Sequence, residues 1–324
     1  MHTQITSLSN TDTTNLPALV VMSLELGVTQ LSGEDRVSYL QGQTTCDVTL
    51  LSDSKPLRGA QCDAKGKMLS IFTLLKHKDS IVMLHSKESQ QVALPELKKF
   101  AAFSKVKIED AAAKWQMIGV AGKNATAAIE SAFGKAPNDE APMLSGEGFT
   151  ILYQADPAPR FLVLLAASHA VPDALTEAEQ DSPALWQLLD IEAGYPHLST
   201  PLIQQYVPQM LNLQKLDAVS FSKGCYIGQE TVARMKYLGK NKRAMYLLEG
   251  EFNNETQPGD NLELALGDNW RRSGVVVSAV TVDNFGKLLA VLPNDIEPDA
   301  KLRVSGQEQS SLTLGQQPYS LLEE

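Results

Sequence analysis

The residues most able to do chemistry in this chain sit together in one run, Lys223-Gly224-Cys225-Tyr226-Ile227-Gly228-Gln229-Glu230. Cysteine is nucleophilic as its thiolate, and a nearby ammonium or a helix N-terminus favours that form. Lys223 offers the first. Gly228-Gln229-Glu230, followed by Thr231-Val232-Ala233-Arg234, offers the second. It reads as the start of a short helix, with Gly228 at the cap and Glu230 in the first turn, where the dipole favours an acid. Cys225 is thus the candidate reactive thiol and Lys223 its candidate activator. The competing reading is structural: Cys225 packs as a small apolar residue and the glycines turn the chain.

A local charge reversal follows the run. Lys223, Arg234, Lys236, Lys240, Lys242 and Arg243 face one acid, Glu230, in a chain of net charge −10. Such a strip suits an anionic ligand tail or an RNA backbone, and equally a solvated face joining two domains. Residues 182–194 hold two further candidates. Trp186 lies on a leucine-rich helix, where a core role is the commoner one. Glu192 lies in the last turn, where the dipole disfavours an acid, so it calls for a ligand's N–H groups or a partner Arg. Cys46 and Cys62 read as buried packing thiols. In Asp63-Ala64-Lys65-Gly66-Lys67, a hairpin turn, the two lysines are placed to face an anion.

The elements that must position these residues are α+β in grammar. An apolar run at Leu19-Val20-Val21-Met22 reads as a strand, and Ser32-Gly33-Glu34-Asp35 as a helix cap. Residues 59–75 form a hairpin, residues 81–84 a strand, and residues 87–103 a helical pattern divided by Pro95. Residues 116–121 and 126–133 give a strand and a helix. A loop at 135–148 leads to paired strands at 149–153 and 161–166. Ser182-Pro183 opens the clearest helix and Gly194 ends it. From residue 244 the chain is short β runs between turns, the mark of a small β-barrel. The expected organisation is a disordered lead-in over 1–15 and an N-terminal α+β domain over 16–112. A second α+β domain with the motif loop spans 113–243, able to interleave with the first, and the barrel spans 244–324.

Several chemistries lack their signatures. There is no Gly-x-Gly-x-x-Gly, P-loop or Gly-x-Ser-x-Gly elbow, no Cys-x-x-Cys, and the five histidines lack ligand spacing. These absences point to a protein without a metal. Three cysteines in 324 residues make no disulfide framework, and no apolar run approaches a membrane span. A cytoplasmic protein with no membrane partner is expected.

The octapeptide with Arg234 resembles the signature of the YgfZ family, folate-binding proteins linked to tRNA modification and iron–sulfur enzymes. The resemblance extends through Tyr39-Leu40-Gln41-Gly42-Gln43-Thr44, Cys62-Asp63-Ala64-Lys65-Gly66-Lys67-Met68 and Phe103-Ser104-Lys105-Val106. It continues in Ile191-Glu192-Ala193-Gly194, Trp270-Arg271-Arg272-Ser273-Gly274 and the ending Pro318-Tyr319-Ser320-Leu321-Leu322-Glu323-Glu324. It implies the fold of the glycine-cleavage T-protein, three domains around a central opening that admits tetrahydrofolate. It further implies that Cys225 is the functional cysteine, that Trp186 meets folate, and that Glu192 holds the pterin. Tyr226, Gln229, Glu230 and Arg234 join the folate site by the same resemblance. The implied partners are folate, iron–sulfur enzymes that methylthiolate tRNA, and tRNA itself in a weak contact.

Two departures stand out. Some family members carry a folate-linked tryptophan where this chain reads Leu24-Glu25-Leu26-Gly27. The T-protein's catalytic aspartate belongs near Gly66-Lys67-Met68-Leu69-Ser70-Ile71, which holds no carboxylate. Aminomethyl transfer then lacks its acid–base group. The expected function is an accessory protein with a reactive thiol; the alternative is an active tetrahydrofolate-dependent aminomethyltransferase.

Overall fold

A computed structural model describes Ile5, residues 13–237 and residues 241–321. Three β-assemblies carry the chain. The first is a five-stranded antiparallel sheet in the order Leu57–Cys62, Met68–His77, Ser80–His85, Gly27–Ser32, Lys107–Asp110. The second has six strands in the order Glu179–Asp181, Val20–Leu24, Trp115–Ala121, Arg160–Ala166, Phe149–Gln154, Met143–Gly146. Strand Val20–Leu24 thus precedes the whole first sheet in the chain yet pairs inside the second. The third assembly is a closed six-stranded barrel running from Arg243–Glu251 to Ser311–Leu314. This is the α+β, three-part arrangement with a C-terminal barrel that the sequence predicts.

Strand alternation explains how the three adhere. In Arg160–Ala166, Phe161 and Val163 turn to an outer core beneath helix Ala125–Phe133, while Leu162 and Leu164 turn inward. The first sheet does the same, with Phe72 and Leu74 on its outer core and Leu75 inward. In the barrel, Leu248, Leu288 and Leu292 fill the interior, and Leu247, Leu289 and Val291 face out. All the inward and barrel-outer residues join one shared core, into which helix Pro183–Glu192 sends Leu185, Leu188, Leu189 and Ile191. Period-2 burial on both faces gives each assembly a private core and a share in a common one.

Helix Pro183–Glu192 begins as expected: the Ser182 hydroxyl accepts from the Ala184 N–H, and Pro183 takes the first turn. Gly194 beyond it has φ +67° and lies against Pro318 and Tyr319, so a side chain there meets strain and a wall.

Three local expectations are corrected. Ser32 ends a strand, and the cap of helix Arg36–Gln41 is Asp35, with no acid in the first turn. Pro95 does not divide its helix, which runs unbroken over Lys87–Lys99. The carbonyl deprived of a donor belongs to Gln91 on the exposed side, open to solvent, while Ala93 and Leu97 are buried on the other. The loop 135–148 contains an edge strand, Met143–Gly146, paired with Phe149–Gln154. Of the lead-in, residues 1–4 and 6–12 lie outside the described residues. Ile5 is buried in the shared core, and Thr13–Asn15 forms one helical turn.

The first sheet also buries a polar cluster. Ser70 Oγ lies 2.9 Å from His85 Nδ1 and 3.2 Å from Ser89 Oγ, and Thr29 Oγ1 lies 3.0 Å from His85 Nε2. Burial pulls the His85 imidazole down to about 4, against a weak opposing pull from Asp110. The folded chain therefore defers a proton that the unfolded chain accepts near the ordinary value of 6.5. Stability should be full above that pH and fall as pH drops toward 4, by about 3 kcal/mol in total. Urea unfolding between pH 7 and 4 should show this slope in the wild type and lose it in His85→Asn. Equal pH dependence in the two proteins would refute the assignment.

Candidate functional site

The motif loop is held from behind by its own lysine. Lys223 is buried, and Nζ donates to the carbonyls of Gln41, Thr44 and Cys46 at 2.7, 2.8 and 2.7 Å. The loop is stitched further to the same segment: Ile227 N–H to Gly42 O at 3.1 Å, Ser220 N–H to Thr45 O at 2.9 Å, and the Thr45 hydroxyl to Ala218 O at 2.6 Å. An ammonium has three donors, and here all go to main-chain oxygens. Burial draws Lys223 down to about 8, with Cys46 and Asp47 pulling it back up. Lys223 anchors the loop; its hydrogen bonds do not go to Cys225, beside which the sequence had put it as an activator.

The second anchor is Gly228, at φ +85°. A Cβ there would meet Asp63 O at 2.6 Å and Gly66 Cα at 2.9 Å. Two backbones, the motif and the tip of the 63–66 hairpin turn, can approach this closely only through glycine. Tyr226 is buried near Cys62, its phenol pushed upward by burial. Between the anchors Gly224 and Cys225 are exposed, with open space around Gly224. Helix Gln229–Tyr237 follows, with Glu230 and Arg234 exposed, and Gln209 holding Val232 O at 2.6 Å. Cys46 and Cys62 are buried, as expected, and burial pushes both thiols up, Cys46 to about 11.

The central opening lies elsewhere. Cavities of about 960, 270 and 590 Å³ are all bordered by Arg58, Tyr195 and Leu216, with the Arg58 guanidinium 3.7 Å above the Tyr195 ring. Glu192 faces the largest, where it pairs with Lys287 and accepts from the Thr13 hydroxyl. That ammonium is what repays an acid in the last turn of its helix. Trp186 walls the 270 Å³ cavity together with Leu26, so the stretch without the N-terminal tryptophan reaches it too. The two candidate groups on one helix therefore open onto adjoining cavities. Cys225, Lys223, Tyr226, Gln229, Glu230 and Arg234 border none of the three.

Sequence reading missed what seats Trp186. Its ring lies on Gly119, where a Cβ would come within 2.5 Å of the indole, and the Arg160 guanidinium sits 4.5 Å from the ring. Arg160 is fully buried and donates to Asp190 at 2.7 Å; Asp190 also meets His197 Nε2 at 2.8 Å. Burial works to raise the Asp190 carboxyl, but Arg160 and His197 outweigh it and hold it below its ordinary value. The signal was present, since Arg160 begins an apolar strand and Asp190 interrupts an apolar helix, and buried charges must pair. In the stretch without a carboxylate, the buried polar side chain is Ser70, held by His85 as described. No cluster of potential metal ligands occurs among the described residues. No helix among them is long and apolar enough to cross a membrane.

Comparison with known proteins adds three findings. Residues 241–307 match the family described as "YgfZ, beta-barrel domain". Proteins named "tRNA-modifying protein YgfZ" are similar along nearly the whole chain. The one from Sodalis glossinidius is 40% identical, over 95% of this chain and 94% of its own. The one from Pectobacterium atrosepticum is 42% identical, over 95% and 93%. The aminomethyltransferase T of the Bartonella henselae glycine cleavage system superposes with TM-score 0.71 at 15% identity, over 93% of this chain and 86% of that one. At that identity the likeness carries the fold alone.

The clamp can be tested directly. Lys223→Met strands three carbonyls, two of them buried, and should cost roughly 3 kcal/mol in urea unfolding, with faster amide exchange in the 41–46 segment. A variant of unchanged stability and altered Cys225 alkylation would instead make Lys223 an activator of the thiol.

Proposed function

The chain belongs to the YgfZ family, and from that premise we propose that it is a folate-binding accessory protein of tRNA modification. The observation that carries this reading is the opening at Arg58 and Tyr195, with Glu192 on one side and Trp186 on the other. The residues suit a reduced folate. Glu192 is an acceptor in a largely enclosed wall, matched to a pterin's ring N–H and amino group. Lys287 holds one of its oxygens and Thr13 donates to the other, so a pterin would replace Thr13 while the ammonium stays. Arg58 and Lys123 on the same walls suit the ligand's carboxylates. When bound, folate would supply one-carbon chemistry or a protective sink for it.

The reading favours an accessory role over transfer. Ser70, in the stretch where the T-protein resemblance calls for an aspartate, is engaged by His85 and offers no carboxylate for the proton at a folate nitrogen. In the same reading Cys225 is the reactive thiol, and its clients are iron–sulfur enzymes that methylthiolate tRNA, in the cytoplasm. Its exposure away from the cavities supports a target that approaches from outside.

Tetrahydrofolate should quench the tryptophan fluorescence of the wild type, and Trp186→Phe should lose most of that response while Trp115 and Trp270 remain. A flat wild-type titration would remove folate from the reading. Cys225→Ala should fold normally and fail to restore tRNA methylthiolation in a strain lacking the protein; full rescue ends the thiol's role. Measurable release of ammonia from an aminomethyl donor with tetrahydrofolate would return the chain to the transferases.

A further inference from the structure

The surface around Cys225 brings together charges that are scattered in the sequence. Arg234 and Lys236 are exposed on the helix that follows the thiol, and Lys242 and Arg243 are exposed where the chain enters the barrel. The Asn241 side chain ties this entry to Gln209 O at 2.9 Å, and Gln209 holds the helix at Val232. Arg272 joins from a different strand. Arg243 pairs with Pro293 and Val275 with Val291, so Arg243 and the start of the 275 register flank one end of strand Phe285–Pro293. Burial raises the Tyr206 phenol, and the charges of both guanidiniums pull against it. Tyr206 O accepts from Met68 N–H at 2.9 Å, at the base of the hairpin turn that carries exposed Lys65 and abuts Gly228.

Acids also border this face: Glu263 stands opposite Arg272 in the strand register and accepts from Arg303 at 2.7 Å, and Asp295 follows Pro293, the register partner of Arg243. Asp63 is engaged by the N–H groups of Lys65 and Lys67 at 2.8 and 2.9 Å, and Glu230 lies in the helix's first turn. The face is basic on a chain of net charge −10.

An aromatic platform accompanies the charge. Tyr237 is 64% exposed and meets Phe221 edge-on at 6.4 Å. Lys236 Nζ sits 3.9 Å from the Phe221 ring and 5.5 Å from the Tyr237 ring. Phe221 stands two residues before the octapeptide, so along the chain Cys225 falls between this platform and the Gly228 anchor. A basic surface alone would suit an acidic protein as well as a nucleic acid. An exposed ring held on edge beneath a cation adds a stacking face, which is how proteins take unpaired bases.

We infer that this face, from Tyr237 across Cys225 to Arg243 and Arg272, is a docking surface for an unpaired segment of RNA. It deepens the proposed function, resting on the tRNA-modification reading and not on folate. The thiol is then presented at the RNA surface, outside the cavities assigned to folate.

Fluorescein-labelled bulk tRNA, followed by anisotropy from 25 to 200 mM KCl, tests this with the full chain. Binding should appear at low salt and weaken steeply. The double variant Lys236→Ala, Arg243→Ala should flatten the log–log salt slope by about 0.7 for each charge removed. Tyr237→Ala should weaken binding roughly 5- to 100-fold with the slope kept. Bound tRNA should also slow iodoacetamide alkylation of Cys225. Absence of binding at 25 mM, or binding that these variants leave unchanged, overturns the inference. Competition by polyaspartate as effective as by unlabelled tRNA overturns it in favour of an acidic protein partner. The tetrahydrofolate titration of the same variants should be unaltered, so failure here stands apart from failure of the folate reading.

Discussion

Arg160 is fully buried, and its charge is met by one carboxylate, Asp190, and the carbonyl of Trp186 at 3.4 Å. Taking an ion pair out of water is costly, and losing one partner of such a pair costs about 3–5 kcal/mol. The pair fixes the helix that penetrates the shared core. That helix carries Trp186 one turn before Asp190 and Glu192 two residues after it. The side chains that face the central cavities are thus set by a charge contact between the second sheet and the helix. Hydrophobic packing alone permits sliding; a directional guanidinium–carboxylate contact does not.

Much of this was legible. Alternation gave the strands, Ser182-Pro183 and Gly194 bounded the helix, and the turn-rich grammar after residue 244 gave the barrel. Glu192's awkward position signalled a ligand N–H or a partner Arg; the cation present is Lys287, on a barrel strand that only the tertiary fold brings there. Other features left no trace. The partners of Lys223 are carbonyl oxygens, which every residue possesses, so no residue type announces them. Arg58 and Tyr195 are distant in sequence and meet only because the first sheet and the central helix share a core. Pro95 misled because its lost hydrogen bond falls on the wet side of the helix.

The motif and the cavities divide the labour of the chain. Glycines in the octapeptide serve different ends: Gly228 permits a backbone contact, and Gly224 leaves clear space beside the thiol. The link between the regions is the 41–46 segment, whose carbonyls hold Lys223 and whose Cys46 borders the 590 Å³ cavity. A ligand that shifts that segment reaches the loop through three hydrogen bonds.

The tail that follows the last barrel strand is a detachable wall. Gln317 pairs with both main-chain groups of Leu247 at 2.9 Å, and the Tyr319 hydroxyl donates to Gly194 O at 3.1 Å. Gln317 and Tyr319 wall the largest cavity, and neither belongs to a strand of the three assemblies. The three assemblies keep all their strand pairings without this side of the cavity. Loosening the tail would therefore open the cavity without parting a single strand.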